Sequence, residues 1–161
     1  MTVRVAASVD VAVDPATAFA AVVDLPSQEK WIMLTKLYAV DGAASVPLVG
    51  SRLVAFTGVL GVGFLDTMVV SEYDPPHRWV TAKDGDLLRG VGIMQVEQLP
   101  TGSRVTWANE LELPFGIAGQ LGWLVARPIA QFILGLSLRR LAKKLRSGEL
   151  PLPARSQVAA G

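Results

Sequence analysis

Residues 115–138 read FGIAGQLGWLVARPIAQFILGLSL, and the chain then turns basic as RRLAKKLR from Arg139 to Arg146. Across the apolar run the only charge is Arg127. A run of this length suits either a membrane span with a positive flank or the closing helix of a soluble domain. A centred Arg127 would cost roughly 2.5–3.5 kcal/mol on insertion, and Gln120, Gln131, Pro128 and several glycines share the segment. At about 100° per residue, Leu134, Leu138, Leu141 and Leu145 form one stripe that continues straight into the basic cluster, with Arg139, Arg140, Lys143 and Lys144 directed away from it. The pattern favours a docked closing helix over a span.

Extending that helix backward without a break places Gln120, Arg127 and Gln131 on the inward stripe and Val125, Ile129, Phe132 and Leu136 on the outward side. Three resolutions are open. A break in phase at Pro128 or Gly135 would let the upper half bury its apolar side. Alternatively Gln131 or Arg127 is a polar anchor in an apolar pocket. In the third, the apolar side is exposed and marks a partner or membrane contact.

Outward from this segment the chain reads as strand, helix and strand meander. Val3, Val5, Ala7, Val9 and Val11 alternate with Arg4, Ala6, Ser8 and Asp10, the period of a half-buried strand. Asp14-Pro15 is a helix start, Phe19, Val22 and Val23 share a face, and Leu25-Pro26 is read as the stop. After an irregular stretch around Trp31, strands are expected over Thr35–Val40, Ser51–Thr57, Gly63–Tyr73, Trp79–Lys83, Leu88–Leu99 and Arg104–Leu113. Turn signals separate them at Asp41-Gly42, 58–61, Asp74-Pro75-Pro76, Asp84-Gly85 and Pro100-Thr101-Gly102. This order indicates an α+β domain rather than an alternating parallel one. A single domain over 1–149 is expected, with 150–161 (LPLPARSQVAAG from Leu150) as a flexible tail.

Composition narrows the function classes. The 161 residues are 51% apolar and only 18% charged, against about 25% charged in ordinary domains. A net charge of +1 argues against a nucleic-acid binder. The basic residues are concentrated: Arg139, Arg140, Lys143, Lys144 and Arg146 oppose Glu149 alone. Such a cluster beside an apolar helix face can be drawn to anionic lipids, and it equally suits a solvated helix end favoured by the dipole. There is no cysteine, and the N-terminal MTVRVAASVDVAV has no unbroken apolar core of a signal peptide, so a cytoplasmic location is expected.

Catalytic signatures are weak. His77, in the DPPHRW turn, is the only histidine, so neither a metal site nor a cofactor is expected and the residue reads as structural. The glycines of GVLGVGFLD lack a following Lys-Ser/Thr or helix, so they read as a tight hairpin or a bent strand. Asp66, Glu72, Glu110 and Glu112 could serve acid–base chemistry if one were buried, yet alternation sets most of them opposite an apolar face. On the last strand Val105, Trp107, Asn109, Leu111 and Leu113 share a side. A buried Asn109 there needs a backbone, water or ligand partner.

The opening DVAVDPATAFAAVVDLPSQEKW, the turn SEYDPPHRW, the strand pair GIMQVEQLPTGSRVTWANEL and the closing LRRLAKKLRSGE resemble the START-like, birch-allergen-like (SRPBCC) superfamily. Within it the resemblance is to the bacterial polyketide cyclase/dehydrase-related proteins. The likeness spans Val3 to Glu149 and rests on the order and spacing of these pieces. It implies a helix-grip fold, with a curved antiparallel sheet wrapped around the long C-terminal helix and an internal apolar cavity. The implied function is binding of a hydrophobic or amphipathic small molecule, lipid- or polyketide-like. The alternatives are a cyclase/dehydratase-type enzyme and a noncatalytic module peripherally associated with membrane. On apolar character, strand parity and region, the expected ligand-binding residues are Trp31, Met33, Phe56, Phe64, Met94, Trp107, Asn109 and Gln131. No residue is assigned a catalytic role and no oligomeric state is indicated.

Overall fold

The computed structural model describes residues 1–40 and 46–150. The expected turn at Asp41-Gly42 and residues 151–161 of the expected tail lie outside the described residues, whereas Leu150, the first residue of that expected tail, is buried in the core. The elements run β1 (Thr2–Val11), α1 (Pro15–Val23), α2 (Leu25–Trp31), β2 (Thr35–Ala39), β3 (Arg52–Val59), β4 (Val62–Asp74), β5 (Arg78–Asp84), β6 (Arg89–Leu99), β7 (Gly102–Glu112) and α3 (Gly116–Ser147). The strands form one antiparallel sheet in the order β1-β7-β6-β5-β4-β3-β2, curled into a half-barrel on whose concave side α3 lies. This is the helix-grip α+β fold.

Local chemistry explains most boundaries. Asp14 caps α1 by accepting from the Thr17 amide at 3.0 Å, and Pro15 occupies the first turn, where no amide donor is needed. Leu25-Pro26, expected to stop the chain's first helix, instead opens a second. Asp24 is at once the C-cap of α1 and the N-cap of α2, its carboxyl accepting from the Ser27 amide at 2.9 Å. A proline just after a capping aspartate is a start signal, and it starts a helix twice here.

Strand alternation sets the buried faces, and one bulge resets it. On β4, Asp66, Met68 and Val70 are buried; the register with β5 then shifts between Val70 and Glu72. The extra residue turns Tyr73 inward, where its ring meets Phe19 at a centroid distance of 5.8 Å. Leu53, Val70, Val96 and Val105 from the sheet join Phe19, Val22, Trp31, Leu138 and Leu141 in the core, with Leu150 closing it.

The closing helix keeps its phase. α3 is continuous through Pro128 and Gly135, so the expected break is absent. Its C-terminal half buries Leu134, Ser137, Leu138, Leu141 and Ala142. Its N-terminal half leaves Ile117, Leu121, Leu124, Val125, Ile129 and Phe132 exposed. Gln120, Arg127 and Gln131, expected on the inward stripe, are all exposed; Gln131 reaches only the edge strand β1, where its Nε2 donates to the Ala6 carbonyl at 2.5 Å. The side chain thus occupies an edge carbonyl that would otherwise be open to another strand. Of the three resolutions, the exposed apolar side is the one adopted.

Candidate functional site

Between the sheet and α3 lies a cavity of about 240 Å³. Its apolar wall includes Met33 and Ile32 after α2, Leu37 of β2, Phe64 and Met68 of β4, Met94 of β6, Trp107 of β7 and Ile133 of α3. Each strand residue reaches it by alternation, since positions two apart share a face. Met33 is fixed through its amide, which donates to the buried Ser137 hydroxyl of α3 at 3.0 Å.

One region of the lining is polar. Thr81, Gly92 and Asn109 stand in register on β5, β6 and β7 and all line the cavity. Gly92 leaves a gap in that row: a Cβ there would sit 2.9 Å from Thr81 Oγ1 and 3.3 Å from Asn109 Oδ1. Asp66 and Lys83 also line the cavity and form an ion pair through Asp66 Oδ2 and Lys83 Nζ. Their side chains are only 4% and 12% exposed, so the pair is largely shielded from water. Asp66 Oδ1 finds no partner within the protein. Nor does Gln28 Oε1, although Gln28 Nε2 donates to the Val22 carbonyl at 2.6 Å. An apolar chamber with a few convergent polar groups is the general form of a small-molecule site.

The eight residues expected from the sequence divide unequally. Met33, Phe64, Met94, Trp107 and Asn109 line the cavity together. Trp31 lies behind the wall, fully buried, with its ring edge-on to Trp107 at 6.1 Å. Phe56 lies between two cavity-lining residues, Ala55 and Thr57, and so belongs to the opposite face of β3. Gln131 is held by β1, as described. Thr81, Lys83, Gln28 and Gly92 line the cavity too without having been expected, and Asp66, expected only as an acid–base carboxylate were it buried, is the one of Asp66, Glu72, Glu110 and Glu112 that is buried. A signal was present for three of them: Asp66 shares the parity of Phe64 and Met68, while Thr81 and Lys83 share that of Trp79, which also lines the cavity.

Other constellations remain outside this site. His77 is exposed in the turn between β4 and β5, where its amide donates to the Asp74 carbonyl and its carbonyl accepts from the Val96 amide. Among the described residues no group of three or more His, Cys, Asp or Glu side chains could hold a metal ion.

Solved structures share this architecture at low sequence identity. TTHA0849 from Thermus thermophilus superposes with a TM-score of 0.71 at 18% identity, covering 91% of this chain and 99% of that one. MLL2253 from Mesorhizobium loti gives 0.65 at 17%, covering 92% and 100%. The Polyketide_cyc-like protein Cgl2372 from Corynebacterium glutamicum gives 0.64 at 15%, covering 92% and 94%. These likenesses speak to the fold alone. No functionally curated protein matches the sequence. Residues 2–146, however, match the family described as polyketide cyclase / dehydrase and lipid transport, so nearly the whole chain, from β1 to the end of α3, belongs to that family.

Proposed function

We propose that the cavity binds a small amphipathic molecule, with its apolar body against Met33, Phe64, Met94 and Trp107 and a hydrogen-bond-donating group turned toward Asp66 Oδ1. The observation that carries this reading is a buried acceptor without a protein partner on a residue that lines a largely apolar chamber. A buried polar atom left unpaired costs about 1–3 kcal/mol, and a ligand hydroxyl or amine would recover part of that. The volume, about 240 Å³, is below the roughly 300 Å³ at the small end of typical ligand sites, which favours a compact ligand. The family supports ligand binding in general and leaves the ligand open. A cytoplasmic site of action belongs to the same proposal, in keeping with a sequence that has no cysteine.

Protein purified without detergent should carry an apolar molecule detectable by native mass spectrometry and organic extraction. Titration with a medium-chain alcohol should change tryptophan fluorescence, because Trp79 and Trp107 line the site, and the matching alkane should bind more weakly. An absence of response to both probes would overturn the reading.

The Asp66–Lys83 pair favours one further reading, a cyclase or dehydratase role. Asp66 would take a proton from the carbon next to a carbonyl of a folded polyketide-like chain, the freed electron pair would form the double bond, and the β-hydroxyl would leave as water with a proton given by Lys83. A β-hydroxyketone probe would then yield the conjugated enone, read by ultraviolet absorbance. Asp66→Asn should abolish turnover while leaving probe binding measurable; equal turnover in wild type and variant would reject this role.

A further inference from the structure

Residues 116–147 form one helix with two different outward surfaces in succession. The face opposite the buried stripe carries Ile117, Leu121, Leu124, Val125, Ile129 and Phe132, each at least 56% exposed. At about 100° per residue the same face continues into Arg139, Lys143 and Arg146, with Arg140 beside them. The apolar stretch is about 22 Å long at 1.5 Å per residue, and the basic one follows for about 10 Å. No acidic residue occurs anywhere in the helix.

We infer that this face of α3 docks the protein on an anionic lipid surface, the apolar side chains entering the headgroup region and the arginines and Lys143 meeting lipid phosphates. Exposed apolar patches of this kind mark contacts, and an amphipathic helix with adjoining cations is the form that lies in a membrane interface. The charge pattern selects this occupant over a second copy. Two such helices in parallel would set basic against basic, and an antiparallel pair centred on the apolar stretch would leave both basic ends overhanging without an anionic partner, since the helix has no acidic residue to offer them. A transmembrane pose is opposed by the burial of Leu134, Leu138 and Leu141 in the core and by the tether from Gln131 to Ala6.

The test is flotation of the full chain with vesicles of phosphatidylcholine alone or mixed with phosphatidylglycerol. Binding is expected only to the mixed vesicles and should weaken in high salt. The double variant Leu124→Glu with Phe132→Glu should lose it. Arg139→Glu with Lys143→Glu should weaken it by about tenfold or more, since each juxtamembrane cation contributes several-fold in affinity. All four positions are exposed, and circular dichroism checks that each variant is folded. Three results would each overturn the inference. These are equal or absent binding to both vesicle types, a solution dimer dissolved by the first double variant, and retention in vesicles after an alkaline carbonate wash, which would indicate a span.

Discussion

The ammonium of Lys83 on β5 bonds to Asp66 Oδ2 on β4, both residues lining the cavity, and Asp66 Oδ1 is buried without a protein partner. Both side chains are largely removed from water, so each is tolerated through the other. Lys83→Met alone should destabilise the fold by about 3 kcal/mol, because it leaves an unpaired buried carboxyl. Adding Asp66→Leu should return stability to within about 1 kcal/mol of wild type, since an apolar pair can replace a buried ion pair. Chemical denaturation of the two variants checks this. The double variant should also lose its preference for the alcohol over the alkane, which separates the role in recognition from the role in folding.

Gly92 keeps the polar row of the cavity open between Thr81 and Asn109. In Gly92→Ala the new methyl would come within 2.9 Å of Thr81 Oγ1, a side-chain atom that can rotate away, rather than of backbone. The fold should therefore survive while the polar end narrows. Ligand affinity should drop about tenfold, equivalent to about 1.4 kcal/mol, with a change in melting temperature of only a few degrees. Fluorescence titration and a thermal melt on the same sample test both halves.

Asp14 links the sequence to a pH response. The Thr17 hydroxyl, at 2.6 Å, and then the Thr17 amide hold the Asp14 carboxyl below its ordinary value of 3.8. A folded value below the unfolded one contributes stability that is present above pH 3.8 and lost as pH falls through the folded value. Asp14→Ala should cost about 1 kcal/mol near neutrality. Melting curves taken at decreasing pH should show the gap between wild type and variant closing below pH 3.8, and a constant gap would contradict the capping account.

Much of the architecture was legible because the apolar period is unambiguous where a face is buried. Val3 to Val11 and Val105 to Leu111 alternate cleanly, and these strands pair as β1 and β7. The second helix was hidden because proline at residue 26 reads as a stop until Asp24 is recognised as a cap. In the site, Met33, Phe64, Met94 and Trp107 were accessible through apolar parity, whereas Asp66 was legible only as one of four carboxylates that would matter if buried, and its pairing with Lys83 was not legible at all. A charged residue on a strand is ordinarily placed on the solvent face, and only the partner strand reveals that two opposite charges meet inside. Gln131 shows the converse. Helical phase placed it on the inward stripe, yet the residue is exposed, because this half of the helix runs along a strand edge and phase carries no information about what lies opposite.

The β3–β4 hairpin supplies the last expectation. Its two central residues, Leu60 and Gly61, both have positive φ, 52° and 83°, which is the type I′ geometry favoured at two-residue hairpin turns. The flanking Gly58 and Gly63 oppose each other so closely that a Cβ on Gly58 would lie 2.7 Å from the Gly63 Cα. Glycine suits the left-handed conformation at position 61, but Leu60 adopts it with a γ-branched side chain that is 99% exposed and so recovers nothing through packing. Asparagine tolerates that conformation and is favoured at this place in the turn. Leu60→Asn should therefore stabilise the protein by about 1 kcal/mol, seen as a melting temperature a few degrees higher. Ligand titrations should be unchanged, because residue 60 is not part of the cavity lining. A lower melting temperature would mean that Leu60 makes a contact that offsets its backbone cost.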